Sequence, residues 1–189
     1  MDLFIWIILV LVFELIATFA TTRWFDQQAV AISITLAMTC AVMVRWGWRA
    51  AAIAVAGGAA FSFASGASAE QYAIYCVGNA FALVGLLVIK WLGEERIRQK
   101  FFEKMIYVIV SYIGVALGRW LVSLLFGGEI MTFVVYLTTD VISLVFAVVI
   151  AHILSKCDGM LENQKTYLFR LERERKENEG CPETDEIIL

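Results

Sequence analysis

Six apolar runs divide this chain, each close to bilayer length and set off by short polar segments. A helix rises ~1.5 Å per residue, so about twenty apolar residues cross a hydrocarbon core ~30 Å thick. The runs extend from Leu3 to about Thr22, Gln28 to Val44, Arg49 to Ala67, Tyr72 to Trp91, Met105 to Phe126 and Met131 to Leu154. Helix is the expected form, because an open strand edge in lipid leaves backbone groups unsatisfied. The only proline, Pro182, lies outside every run, so unbroken helices are expected. The pattern predicts an all-α membrane protein: six transmembrane helices over residues 1–155, then a charged, partly helical tail over residues 156–189.

Composition agrees. The chain is 61% hydrophobic and 17% charged, with a mean hydropathy of +0.78. An ordinary soluble domain is about 45–50% apolar and about 25% charged, so the lipid bilayer is the natural solvent here. The N-terminus lacks a basic stretch and enters apolar sequence at Leu3, which reads as a retained first span. No basic stripe with interleaved aromatics indicates nucleic acid.

Lysine and arginine placement sets the expected orientation. Arg45 and Arg49 flank the second-to-third turn. Lys90, Arg96, Arg98, Lys100 and Lys104 surround the fourth-to-fifth loop. Lys156, Lys165, Arg170, Arg173, Arg175 and Lys176 follow the sixth run. With six spans these thirteen of the fifteen basic residues share one side, which places both termini in the cytoplasm and the protein in the cell membrane. The tail from Asp158 to about Asn178 carries Leu161, Tyr167, Leu168 and Leu171 among charges. It suits a solvated helix with one weak apolar face, or a docking element. The closing CPETDEIIL is acidic and expected to fray.

Polar residues inside spans are costly and face a cavity or a partner. Glu14, Asn79, Arg119 and Asp140 all fall in the half of the membrane nearest the Gly127-Gly128-Glu129 turn. Helical spacing extends each into a stripe: Glu14, Thr18 and Thr21; Gln71, Tyr75 and Asn79; Tyr112, Arg119 and Ser123; Tyr136, Asp140 and Ser143. Pointed inward, the four stripes make an outward-facing pocket. Arg119 suits an anionic group, because its fork holds a carboxylate or phosphate. Trp120, Trp24 or Tyr72 offers a ring to stack on. A plainer reading has Arg119 and Asp140 neutralise each other, and Glu14 pair with Arg119 or Arg23. His152 reads as structural.

Small residues recur every fourth position in the third run, at Ala50, Ala54 and Gly58, and Gly114 and Gly118 repeat this in the fifth. Such stripes let helix backbones approach, within the chain or against a membrane partner. The four cysteines (Cys40, Cys76, Cys157, Cys181) form no C-x-x-C pair and His152 is the only histidine, so no metal site is expected. No P-loop or nucleophile–base set is present. The expectation is a protein that is not an enzyme and needs no cofactor.

The segment Val44-Arg45-Trp46-Gly47-Trp48-Arg49-Ala50, the Ala/Gly run to Ala60, and Ser65-Gly66 resemble the turn into the small-residue third helix of energy-coupling factor (ECF) S components. Tyr75-Cys76-Val77-Gly78-Asn79 and Leu83-Val84-Gly85-Leu86 look like that family's fourth helix, and Asp140 falls where members carry ligand-contacting residues. Where the family carries A-x-x-x-A on its first helix, this chain has Ala17 and Ala20. The resemblance implies a six-helix subunit that captures a vitamin-like small molecule. It would hand the ligand to a transmembrane coupling subunit and two ATPases. Glu14, Gln71, Tyr75, Asn79, Tyr112, Arg119, Trp120, Tyr136 and Asp140 are then the candidate ligand residues, and Ala50, Ala54 and Gly58 the candidate partner contacts. The alternative is a scaffold subunit without a ligand, acting through its cytoplasmic tail.

Overall fold

The computed structural model describes residues 2–24, 32–157, 161–162 and 164–179. Among the described residues every regular element is helical. Ten α-helices follow in order: α1 (Asp2–Trp24), α2 (Thr35–Trp46), α3 (Ala51–Ala64), α4 (Ala69–Ala80), α5 (Gly85–Leu92), α6 (Glu94–Gln99), α7 (Phe101–Leu124), α8 (Thr132–Thr139), α9 (Val141–Leu154) and α10 (Gln164–Glu179). Tight 3-10 turns at Gly47–Ala50 and Phe81–Val84 join α2 to α3 and α4 to α5.

Among the described residues three helical stretches are long and apolar enough to cross a membrane: Leu3–Arg23, Ala69–Leu92 and Phe101–Leu124. They match the first, fourth and fifth apolar runs. The sixth run is α8 plus α9, bent by 45° at the break between them, so the expected smooth helix is corrected there. The second expected span begins among residues outside those described. Its helical part, α2, has 12 residues and is ~18 Å long at ~1.5 Å per residue, shorter than a hydrocarbon core. α3 has 14 residues, lengthened by the 3-10 turn before it.

α7 is central and touches α2, α4, α5, α6, α8 and α9. Its Tyr107 and Val108 join Val42, Met43 and Ile53 in the core. Tyr107 is buried with its hydroxyl donating to the Cys40 carbonyl at 2.8 Å. α1 is peripheral. It packs on α3 and α2 through Val10, Glu14, Thr18 and Thr21, and leaves Phe4, Ile8, Val12 and Phe19 exposed, as a lipid-facing helix does.

Small residues bring backbones together within the chain. A Cβ on Gly118 would lie 2.5 Å from the Gly78 carbonyl oxygen, and one on Gly58 would lie 2.6 Å from that of Tyr75. Ala50 and Ala54 are fully buried. The Ala50, Ala54, Gly58 stripe, expected as a partner contact, is therefore covered by the chain's own helices. α4 opens with a capping box. Ser68 Oγ accepts from the Gln71 N–H, and Gln71 Oε1 accepts from the Ser68 N–H, which satisfies two amides at the helix start.

At the opposite end from the α7–α8 turn, Lys104 is buried and donates to Ser155 Oγ, stitching α7 to the end of α9. His152 sets its ring edge-on to Phe101 at 5.4 Å. The tail is not wholly a solvated extension. Leu161 is buried against the core and α10 is tied by its first turn, while Glu172 to Glu177 are exposed. The CPETDEIIL segment lies outside the described residues.

Candidate functional site

Two irregularities in the bundle create the candidate site. The first is the start of α2, which lies inside the protein. A helix start presents free N–H groups, and these cannot stay unpaired away from water. Glu14 Oε2 accepts from the Ile34 N–H at 2.9 Å, the Thr35 N–H at 2.9 Å and the Thr35 hydroxyl at 2.8 Å. Ser143 Oγ accepts from the Ser33 N–H at 2.8 Å. Glu14 is fully buried, and a carboxylate there complements the positive end of the helix dipole. It caps α2 rather than pairing with Arg119 or Arg23. Its other oxygen, Oε1, makes no hydrogen bond among the described residues.

The second irregularity is the bend at Asp140, whose backbone (φ −98°, ψ 13°) interrupts the helix between α8 and α9. Thr138 and Thr139 hydroxyls donate to the Val134 and Val135 carbonyls, a pattern that bends helices. The bend turns the Leu137 carbonyl away from its next-turn amide, and the Tyr112 hydroxyl donates to it. Asp140 itself accepts from Arg119 Nη1. Arg119 Nε donates to Asn79 Oδ1 at 2.9 Å, and the guanidinium lies 4.8 Å from the Tyr75 ring centre, within cation–π range. α4, α7 and the α8–α9 bend thus converge on one buried cation. The plainer reading of Arg119 and Asp140, a mutual ion pair, describes their contact.

Between these features lies a cavity of about 20 Å³. Its walls include Ser33, Thr35, Thr39, Asn79, Tyr112, Arg119, Asp140 and Ser143. A water needs roughly 10–15 Å³ on this scale, so the hollow has room for one or two waters and for no vitamin-sized molecule. Thr39 Oγ1, on the wall, makes no hydrogen bond among the described residues, and the hydroxyl, amide and guanidinium groups around it suit a polar occupant.

The expected residues divide. Asn79, Tyr112, Arg119 and Asp140 are in the wall. Tyr75 stacks on Arg119 from behind, with Phe61 at 4.8 Å on it. Glu14 reaches the hollow only through Thr35. Tyr136 is half-buried on α8 and outside the wall. Gln71 is exposed and committed to the α4 cap, so it leaves the list of ligand residues. Trp120 packs edge-on against Phe133 at 5.9 Å, away from the hollow. Trp24 ends α1, with its side chain outside the described residues. Ser33, Thr35 and Thr39 were missed. Their spacing, two hydroxyls one helical turn apart behind a serine, is the signal in the second apolar run that marks them. Among the described residues no group of three His, Cys, Asp or Glu side chains is placed to hold a metal ion. The chain matches no family model, no curated protein and no solved structure.

Proposed function

We propose that this chain is a ligand-capturing membrane subunit of an importer of the energy-coupling factor type. It takes a small anionic molecule from the outer face and relies on a transmembrane coupling subunit and ATPases for energy. In this reading the chain crosses the cell membrane six times with both termini in the cytoplasm. α3 crosses together with its 3-10 turn, and α2 runs with the residues before it. The single observation that carries the reading is that Arg119, buried deep in an apolar helix, lines a hollow whose wall mixes the hydroxyl residues Ser33, Thr35, Thr39, Tyr112 and Ser143 with the apolar Leu36, Ala82 and Val115. A buried ion pair needed only for register requires no cavity beside it.

The hollow offers only water-sized space, so capture requires widening. α8 is the element suited to move. It has no buried residue, and it joins α9 at the Asp140 bend. An incoming carboxylate or phosphate would take Asp140's place on Arg119, with Asn79 and Thr39 as further donors.

The test is mass spectrometry of the purified protein. A small molecule should accompany the wild-type chain at near-stoichiometric amount. It should fall at least ~10-fold in the Arg119→Leu/Asp140→Leu variant, since one charge-assisted contact is worth ~1.5–3 kcal/mol. That variant removes both charges, so neither is left buried alone. A wild-type chain that carries nothing when purified, and binds nothing from a panel of anionic micronutrients, sinks the proposal.

A further inference from the structure

On the face opposite the polar hollow, the end of α2 and the short α6 form a notch with chemistry of its own. Trp46 closes α2, Arg45 lies 4.9 Å over the Trp46 ring, and Ile97 is buried on α6 beside Arg98. The tail enters this notch. Leu161 is 4% exposed and joins the buried core. Glu162 lies 3.3 Å from Arg98 and 3.1 Å from Arg170. Gln164 Oε1 accepts from Trp46 Nε1 at 2.6 Å, and the Tyr167 ring faces Arg45 at 5.7 Å. Beyond Tyr167, Leu168 and Phe169 are exposed.

We propose that this notch is a docking site for a peptide segment pairing an apolar anchor with an acidic residue, and that the chain's own tail occupies it as a self-ligand that a partner segment must displace. Four kinds of contact coincide. A buried leucine supplies area. A carboxylate meets an arginine at a partly covered rim. An indole N–H finds its acceptor. An aromatic ring faces a guanidinium. The contacts fall within one short stretch, so one peptide can bring all of them. They tie that stretch to α2 and α6, two elements that do not follow each other in sequence. The attachment is local. Among the described residues α10 makes no extensive packing with any other helix, so a competing segment has no broad helix–helix interface to replace. The inference is independent of what the polar hollow binds.

The experiment uses the full chain in nanodiscs and a fluorescent synthetic peptide copying residues 161–179. In the wild type the tail fills the notch and the peptide competes poorly. In Glu162→Arg the tail is repelled by Arg98, and the peptide should bind saturably, at least ten-fold more tightly than to wild type. Arg98→Glu with the native tail repels that tail's own Glu162, so this chain should reject the native peptide and accept one carrying Glu162→Arg. If Glu162→Arg does not purify as a folded species, Gln164→Ala/Tyr167→Ala carries the same test, because both side chains lie at the rim. Equal binding to wild type and tail variant overturns the proposal. So does binding to neither, or a charge-reversed peptide that binds the Glu162→Arg chain as well as the native peptide does.

Discussion

Glu14 and Thr35 are joined twice: the carboxylate of α1 accepts from both the backbone N–H and the hydroxyl of the residue that opens α2. A side chain that looks like a functional charge in an apolar helix is thus a cap supplied by a different helix. Removing it leaves the half-buried Ile34 amide without its acceptor and the Thr35 amide with only Ser33 Oγ, at 3.3 Å. Glu14→Ala should therefore lower stability by at least about 2 kcal/mol. Glu14→Gln keeps one oxygen acceptor and loses the charge–dipole term, about 1 kcal/mol. Thermal unfolding in detergent, followed by tryptophan fluorescence, should rank wild type above Gln and Gln above Ala. Indistinguishable Gln and Ala variants count against the capping role.

Arg119 and Asp140 should behave as a coupled pair. Either Arg119→Leu or Asp140→Leu strands one charge beside the hollow, at a cost of about 3–5 kcal/mol. The double variant leaves neither, so its loss should be smaller than the sum of the singles by at least about 1 kcal/mol. Unfolding curves for the four proteins measure this. Strict additivity means that the two groups do not sense each other.

Sequence reading located the long helices and the converging polar groups, because twenty-residue apolar runs and charges in lipid are strong, local signals. The stripe Glu14, Thr18, Thr21 follows from helical period alone, and with Val10 it is the buried face of α1. What escaped depends on where helices begin and break. The α2 start inside the bundle carries no proline or glycine signal. The Asp140 bend arises from threonine side chains and a tertiary contact to Arg119. Gln71 has the spacing of a site residue, yet Ser68 three positions earlier claims it for a capping box. Tail docking depends on Trp46, Ile97 and Arg98, which are distant in sequence, and no periodicity within the tail reveals them.

The glycine stripe of α7 yields a sharper test of packing. Gly118→Ala places a methyl 2.5 Å from the Gly78 carbonyl oxygen, so α4 and α7 must separate. The expected loss is about 1–3 kcal/mol, together with weakened Asn79–Arg119 contact. Ala52, exposed on α3, serves as the contrast: Ala52→Val should change stability by no more than about 0.5 kcal/mol. Equal losses at the two positions indicate that α4 and α7 are not held at backbone contact.

Orientation is testable through a single thiol. Cys157 is exposed just past α9, whereas Cys40 is buried between α2 and α7. In a chain carrying Cys40→Ala, Cys76→Ala and Cys181→Ser, Cys157 is the sole cysteine. A membrane-impermeant maleimide reacts with a thiolate, so it needs the thiol in water. Six spans with a cytoplasmic N-terminus put Cys157 inside, where it should label only after cells are broken open. The basic residues around it, Lys156 and Lys165, favour that side. The count matters because α2 alone is too short to cross. If the α2 segment dips in and returns on the same side, the chain has five crossings, and Cys157 moves outside with the basic tail. Labelling in intact cells would then remove the six-span topology, and with it the placement of Arg119 in the outer half.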